Sequence, residues 1–330
     1  MSRWGLDFVT VDVFTETTFG GNPLAVFFAT QRLSAGQMQQ IAREINYSET
    51  AFVLPPANPA NSASIRIFTP VYELPFAGHP NVGCGFVLAN HPAAIPTSGM
   101  VKTQTNSETG QKQMLMRFEE KAGLVEVAVD LEADDKAQRA TIAAPQKFQQ
   151  RSGHSGLEIT RALNLGVNSL RNKNSPVPIV SVGIEFPVVE VCALEDLQHC
   201  SANHGEFMRL SLDLEPIPDS SVGIDLSRAF LVYVYCRTGA NTVSARMFDP
   251  LHGIPEDPAT GSAAGALAGL LATQDGVEGN VRYEIAQGHE MGRPSSITVD
   301  VARDKGQIRQ TLISGRCVEV IEGQFSLPNV

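Results

Sequence analysis

Four side chains with acid–base or nucleophilic capacity sit in short segments next to uncharged ones. Glu49 stands in Asn46-Tyr47-Ser48-Glu49-Thr50, at the head of an otherwise apolar strand. His79 stands in Gly78-His79-Pro80-Asn81. Asp257 and Ser262 stand in Glu256-Asp257-Pro258-Ala259-Thr260-Gly261-Ser262. Taken singly, each has an ordinary structural explanation: a solvated strand-end carboxylate, a loop imidazole bonded to a carbonyl, a helix cap, a small packing residue. Taken together they suit proton transfer. One group takes a proton and another returns it, with burial tuning both toward neutral pH.

The stretches 81–90 (NVGCGFVLAN) and 261–273 (GSAAGALAGLLAT) carry no charge and have small residues in their first turns. Both predict helices, and a helix that is apolar all round is surrounded by protein. The N-terminus of such a helix offers unpaired amide N–H groups and the positive end of its dipole, which suits a carboxylate. The two stretches also belong to an internal repeat. At an offset of 180, Arg66 matches Arg246, Phe68 matches Phe248, Pro70 matches Pro250, Pro75 matches Pro255 and Gly85 matches Gly265. With a small shift, AFVL at 51–54 lines up with AFLV at 229–232. A duplicated unit predicts two similar domains about a pseudo-two-fold axis, with the site between the two helix N-termini.

Elsewhere the pattern is strand-like. Short alternating or apolar runs such as 6–14, 23–28, 64–68, 124–129, 188–192, 243–248, 281–285 and 296–301 follow turn residues closely, which suits antiparallel sheets better than βαβ units. One amphipathic helix is clear. Ser34 and Gln37 form a capping box, Met38, Ile41, Ala42 and Ile45 form a stripe, and Asn46 follows in the terminating position. The polar stretches 100–113 and 168–178 read as loops.

The chain has 330 residues, 43% hydrophobic and 18% charged, which excludes disorder, a coiled coil and a collagen-like fibre. One core rarely serves more than about 250–300 residues. We therefore expect two domains, 1–130 and 131–315, with 316–330 packing back onto the first. Against 35 acidic residues there are 25 Lys+Arg, a net of −10 with no basic cluster, so neither nucleic acid nor an anionic membrane is an expected partner. The opening MSRWGLDFVTVDVF lacks the layout of a signal peptide, and no apolar run approaches the roughly 18 residues of a membrane span. A cytoplasmic setting is expected. The five cysteines (Cys84, Cys192, Cys200, Cys236, Cys317) include no C-x-x-C pair, which disfavours a disulfide framework or a zinc knuckle. No phosphate loop, no dinucleotide loop and no G-x-S-x-G elbow is present. No metal and no cofactor are expected.

Five segments resemble the phenazine-biosynthesis isomerase (PhzF-like) family: VDVFTETTFGGNPLAVF at 11–27, INYSETAFV at 45–53, RIFTPVYELPFAGHPNVG at 66–83, RMFDPLHGIPEDPATGSAAGAL at 246–267 and, more weakly, AQGHEMGRPSSITV at 286–299. They span nearly the whole chain, and SETAF, PFAGHP and EDPATGSA in that order are specific. The resemblance implies the diaminopimelate-epimerase-like α+β fold. That fold has two similar domains related by pseudo-two-fold symmetry, each a mostly antiparallel barrel-like sheet around a central apolar helix, with the site in the cleft between them. It also implies cofactor-independent isomerisation. The family's catalytic glutamate falls on Glu49, which would take and return the proton, its histidine on His79, its aspartate on Asp257 and its serine on Ser262. Gly78 and Gly261 fall where backbone amides hold a substrate carboxylate, and Asn22, Ser48 and Asn81 join them as expected substrate-binding residues.

Related epimerases and racemases place one cysteine at each helix start. Here neither Ala77-Gly78-His79 nor 257–262 has a thiol, and Cys84 lies a turn further on, which disfavours a two-thiol mechanism. Asn81 replaces the family's usual Thr, and Tyr47 stands where an aliphatic residue is common; with both expected near the pocket, the substrate of the best-known member is not transferred. The expected function is a cofactor-independent isomerase acting on a small carboxylate-bearing metabolite, compatible with a homodimer. Two alternatives stay open. One is an epimerase or racemase using Glu49 and Asp257 as opposed bases; the other is a non-catalytic metabolite-binding or protein-interaction protein of the same fold.

Overall fold

The structure, a computed structural model, describes residues 3–29, 33–96, 101–106, 110–173, 175–212 and 230–328. Its chain runs β1 (Arg3–Val13), β2 (Asn22–Phe28), α1 (Ala35–Ile45), β3 (Glu49–Leu54), β4 (Ala63–Phe68), β5 (Glu73–Leu74), α2 (Gly78–Asn90), β6 (Lys102–Thr105), β7 (Lys112–Glu120), β8 (Gly123–Leu131) and β9 (Ala137–Ala143). Next come β10 (Gln149–Ser155), α3 (Gly156–Ala162), β11 (Pro176–Ser181), β12 (Glu185–Glu190), α4 (Leu194–His199), α5 (His204–Leu212), β13 (Val232–Arg237), β14 (Thr242–Asp249) and β15 (Ile254–Asp257). Last are α6 (Gly261–Gln274), β16 (Gly279–Gln287), β17 (Ser295–Asp304), β18 (Gln307–Gly315) and β19 (Cys317–Pro328). Contacts divide the chain into two units: Met1–Ala143 with Ser314–Val330, and Ala144–Ile313.

In the first unit β19 pairs with β1, β1 with β2, and β7 with β8 and β9 in turn, all antiparallel. Two pairings are parallel, β2–β3 and β4–β7. The first is a βαβ crossover through α1, an exception to the expected antiparallel pattern. α1 itself forms where its sequence signals place it. Ser34 Oγ accepts from the Gln37 N–H, Gln37 Oε1 accepts from the Ser34 N–H, and Asn46 ends the helix at φ 57°. Its buried Met38, Ile41 and Ala42 lie on a row of rings in which Phe8, Phe27 and Phe52 stack and Phe68 meets Phe52 edge to face, with neighbouring centroids 5.1–5.6 Å apart.

The other face of this curled sheet holds α2, which packs against β1, β2, β3, β8 and β9 and is buried from Gly78 to Ala89. Small residues allow this approach. A Cβ on Gly85 would lie 2.5 Å from Val127 Cγ1, and one on Gly83 would lie 2.6 Å from Leu24 Cδ2.

The second unit repeats the scheme. β10–β11–β12 are antiparallel, β12–β13 parallel, β13–β14 antiparallel, β14–β16 parallel and β16–β17 antiparallel. α6 takes the place of α2 and is buried throughout its first three turns apart from Ser262, which is half-buried. α3, α4 and α5, which sequence patterning does not single out, cover the outer face around Ile159, Leu197, Phe207 and Phe230.

Sheet register corrects the repeat. The offset of 180 holds for Arg66 and Arg246, but Phe68 faces Glu73 while Phe248 faces Glu256. Three extra residues in the turn between β14 and β15 shift the offset to 183 as far as the start of the central helix, so Pro75 corresponds to Pro258 and Gly78 to Gly261. The AFVL match is also displaced. Phe52 faces Arg66 as Val234 faces Arg246, and residue 229 lies outside the described residues. The polar stretch 100–113 is not all loop. It holds β6 and the start of β7, with residues 100 and 107–109 outside the described residues. β11 likewise begins inside 168–178, at Pro176.

One ion pair recurs with this register. Arg66 Nε and Nη2 donate to Glu73 at 2.7 Å each, and Arg246 Nε and Nη2 donate to Glu256 at 2.8 Å each. Each guanidinium also lies over the nearby phenylalanine, Phe68 at 5.2 Å and Phe248 at 4.8 Å. The pair fixes the short strand that leads into each central helix.

Helix propensity alone favours Ala over Gly by about 1 kcal/mol. We expect Gly36→Ala in α1, where the new methyl meets only Ser34 Oγ at 4.0 Å, to raise stability by up to that amount. Gly85→Ala should instead lower it by about 1 kcal/mol, because overpacking against buried Val127 costs more than the propensity returns. Urea midpoints of the two variants test this contrast.

Candidate active-site residues

Parallel pairing of β2 and β3, with Leu24 opposite Glu49, brings the starts of both strands together. Asn22 opens β2 and is fully buried; Ser48 precedes β3 and donates its hydroxyl to Asn22 Oδ1 at 2.8 Å. Glu49 opens β3, and its Oε2 lies 3.4 Å from His79 Nε2, the two side chains being 15% and 5% exposed. Burial drives the His79 pKa down to about 3, so the ring is neutral. The contact is therefore made by a neutral imidazole and is not an ion pair, and at 3.4 Å it is slightly longer than a formed hydrogen bond.

His79 is the second residue of α2, between Gly78 and Asn81. Asn81 turns its Nδ2 back to Ala77 O at 2.9 Å. No side chain caps α2 or α6, whereas the surface helices α1 and α3 both have complete capping boxes. An uncapped N-terminus inside protein suits an anionic group of a ligand. Tyr47 packs against the phenylalanine core beneath α1, which is the role its size serves here.

Glu120 lies at the end of β7, and nothing in its sequence context marks it as a site residue. Its carboxyl oxygens are buried without a hydrogen-bond partner among the described residues. Burial raises its pKa to about 8, against a small opposing effect of the neighbouring Asn81 amide. The carboxyl is thus largely protonated at neutral pH.

In the second unit Asp257 ends β15, and Gly261 and Ser262 begin α6. Thr260 donates its hydroxyl to Asp257 Oδ2 at 2.5 Å. Gln287 donates to Asp257 O at 2.7 Å and accepts from the buried Tyr233 hydroxyl at 3.0 Å. Ser295 Oγ donates to Pro258 O at 2.9 Å. Gln287 and Ser295 belong to the AQGHEMGRPSS segment, whose pattern marked the resemblance without indicating this task. Asn22, Ser48, Glu49, Gly78, His79 and Asn81 thus gather in the first unit, and Asp257, Gly261 and Ser262 in the second.

Neither helix start carries a thiol. Cys84 is buried deeper in α2, and burial, with the nearby Glu120 and Cys317, pushes its pKa well up, the reverse of what a catalytic thiolate needs. Among the described residues no three His, Cys, Asp or Glu side chains gather as a metal site would require, and no helix is long and apolar enough to cross a membrane.

The family model described as "Phenazine biosynthesis-like protein" matches residues 11–323. An uncharacterised isomerase of Mesorhizobium japonicum is 35% identical, covering 97% of this chain and 98% of its own length. The trans-2,3-dihydro-3-hydroxyanthranilate isomerase of Pseudomonas chlororaphis is 33% identical, with 97% and 99% covered. Among solved structures, a PhzF-family phenazine biosynthesis protein of Bacillus anthracis matches with a TM-score of 0.79 at 22% identity, covering 98% of this chain and 99% of that one. A hydroxyproline epimerase from Agrobacterium vitis matches at 0.60 and 14% identity, covering 99% and 95%. At such identities these structures speak to the fold alone.

Glu120 yields a pH prediction. Its folded-state pKa of about 8 lies above the ordinary 4.5, so the folded state holds a proton that the unfolded chain releases between those values. The group's contribution is full below pH 4.5 and is lost as pH rises through 8. Glu120→Gln, which cannot ionise, should flatten that slope, so that its effect relative to the native chain is more favourable at pH 8 than at pH 5. Denaturant melts at pH 5 and pH 8 measure the difference.

Proposed function

Because the chain belongs to the phenazine biosynthesis-like (PhzF) family and is an isomerase, we propose that it shifts a proton within a small carboxylate-bearing metabolite without a cofactor. The observation that carries this reading is the buried juxtaposition of the Glu49 carboxylate with a neutral His79 at the uncapped start of α2. Glu49 takes a proton from one carbon, the C–H electron pair moves into the adjacent unsaturated system, and Glu49 returns the proton to another carbon. No atom is gained or lost, and the substrate leaves as an isomer.

His79 is a neutral hydrogen-bonding partner beside the base, and its long contact would tighten in the reactive complex. The uncapped start of α2, at Gly78, receives the substrate carboxylate. Asp257 and Ser262 supply the second acid–base pair of groups, and Asn22, Ser48 and Asn81 bind substrate. A substrate class is all that is assigned. Asn81 sits in the first turn of α2, where this chain departs from the family's usual threonine, so the compound named for the Pseudomonas relatives is a candidate to test and no more.

Deuterium from solvent should enter a C–H position of the substrate during turnover, which binding alone does not cause. Glu49→Gln, nearly isosteric but unable to take a proton, should keep the fold and ligand binding while lowering turnover about 10²–10⁴-fold. Normal turnover by this variant would show that Glu49 is not the base. Product analysis separates a constitutional isomer from an epimer, the second of which would require opposed bases such as Glu49 and Asp257.

Activity should also withstand chelators and thiol-blocking reagents. Full inactivation by a chelator, reversed by one added metal, would refute the cofactor-free reading.

A further inference from the structure

Gln287, at the end of β16, is 1% exposed, and both ends of its amide are engaged. Nε2 donates to Asp257 O at 2.7 Å and to Thr260 Oγ1 at 3.1 Å. Oε1 accepts from the Tyr233 hydroxyl at 3.0 Å and from the Thr260 N–H at 3.2 Å. The Thr260 hydroxyl has a single proton. With Gln287 donating to its oxygen, that proton is committed to Asp257 Oδ2, 2.5 Å away. The result is a chain from amide N–H to hydroxyl to carboxylate in which each donor polarises the next.

The backbone that follows closes on the same turn. Gly288 has φ +76°, and a Cβ there would lie 2.6 Å from Pro258 O, which Ser295 Oγ also contacts.

The first unit uses the equivalent strand position in the same place. Ser64 faces Glu119 and Ser244 faces Ala286, so Glu120 occupies the position of Gln287. Glu120 in turn neighbours Asn81, in the first turn of α2. Each sheet thus sets a polar side chain beneath the start of its central helix, and in the second unit that side chain orders a carboxylate.

We propose that Gln287 is a positioning residue: through Thr260 it fixes the hydrogen bonding of the Asp257 carboxylate and the start of α6. Its importance for turnover rests on the role proposed above for Asp257; its effect on the carboxylate does not. A donor to a carboxylate favours the charged form, so loss of the chain raises the carboxyl pKa.

The test is a carbon-detected NMR titration of the Asp257 carboxyl in the full-length protein, which needs no substrate. Gln287→Met, close in size and without donor or acceptor, should shift the Asp257 titration upward while the protein melts cooperatively. Should Gln287→Met fail to fold, Thr260→Val deletes the middle of the chain without touching Gln287 and should give the same upward shift. Thr260→Ser, which keeps the hydroxyl, should restore the native titration. An unmoved Asp257 titration in folded Gln287→Met or in Thr260→Val overturns the proposal. Absence of isomerase activity in the native protein would instead count against the proposed reaction and leave this result standing.

Discussion

Each unit is organised around a helix with no polar face. Such a helix loses its apolar surface to water unless protein surrounds it, so the sheet must curl and the helix must be slim enough to be approached from several sides. Glycine and alanine supply the slimness in α2 and α6, and branched side chains such as Val127 and Leu24 fill the space that is left. Burial then creates a second requirement, since the first amides of the helix need partners that no capping side chain provides. The recurring arginine–glutamate pair sets the strand that leads into each helix. In the first unit, burial pushes the Glu73 carboxyl up, but hydrogen bonds from Arg66 and Lys121 outweigh it and hold the group ionised. A rigid approach to an uncapped helix start is the shared device of both units.

Against that common background, the polar differences between the units stand out. Glu49 begins β3, while the corresponding Leu231 is apolar. Asp257 ends β15 where Leu74 ends β5, and Ser262 occupies the helix position held by His79. Glu120 and Gln287 share one strand position with opposite consequences, a carboxyl that burial keeps protonated and an amide whose hydrogen bonds are all made. The same scaffold therefore presents a glutamate–histidine pair in one unit and a threonine-held aspartate in the other.

Much of the scaffold was legible in sequence because its signals are local. The capping box of α1, the left-handed Asn46 and the uncharged runs of α2 and α6 are each set within a dozen residues. Strands with buried faces, such as β1 and β14, announce themselves by apolar spacing. β6 and β10 do not. KTQT is exposed at all four positions and QQRSGHS has no buried residue, so hydrogen bonding to a neighbour makes them strands without an apolar pattern. The repeat was visible, but its register was not, since three residues in an irregular turn displace identical letters from equivalent places. Gln287 and Glu120 carry no local signal for a related reason. A glutamine or glutamate on a strand reads as surface, and only the pairing of distant strands puts these two beneath helix starts.

Strand β19 has a bearing on how the chain acquires its structure. It lies antiparallel along β1 from Arg3 to Val13, so a strand made before the second unit is completed by one made after it. While the intervening residues emerge from a ribosome, β1 can pair with β2 on one side and has an open row of amides and carbonyls on the other. An open edge invites pairing with other chains. The second unit, Ala144–Ile313, is by contrast a single uninterrupted stretch with its own core. A nascent chain is thus exposed to misassembly along β1 until β19 pairs with it.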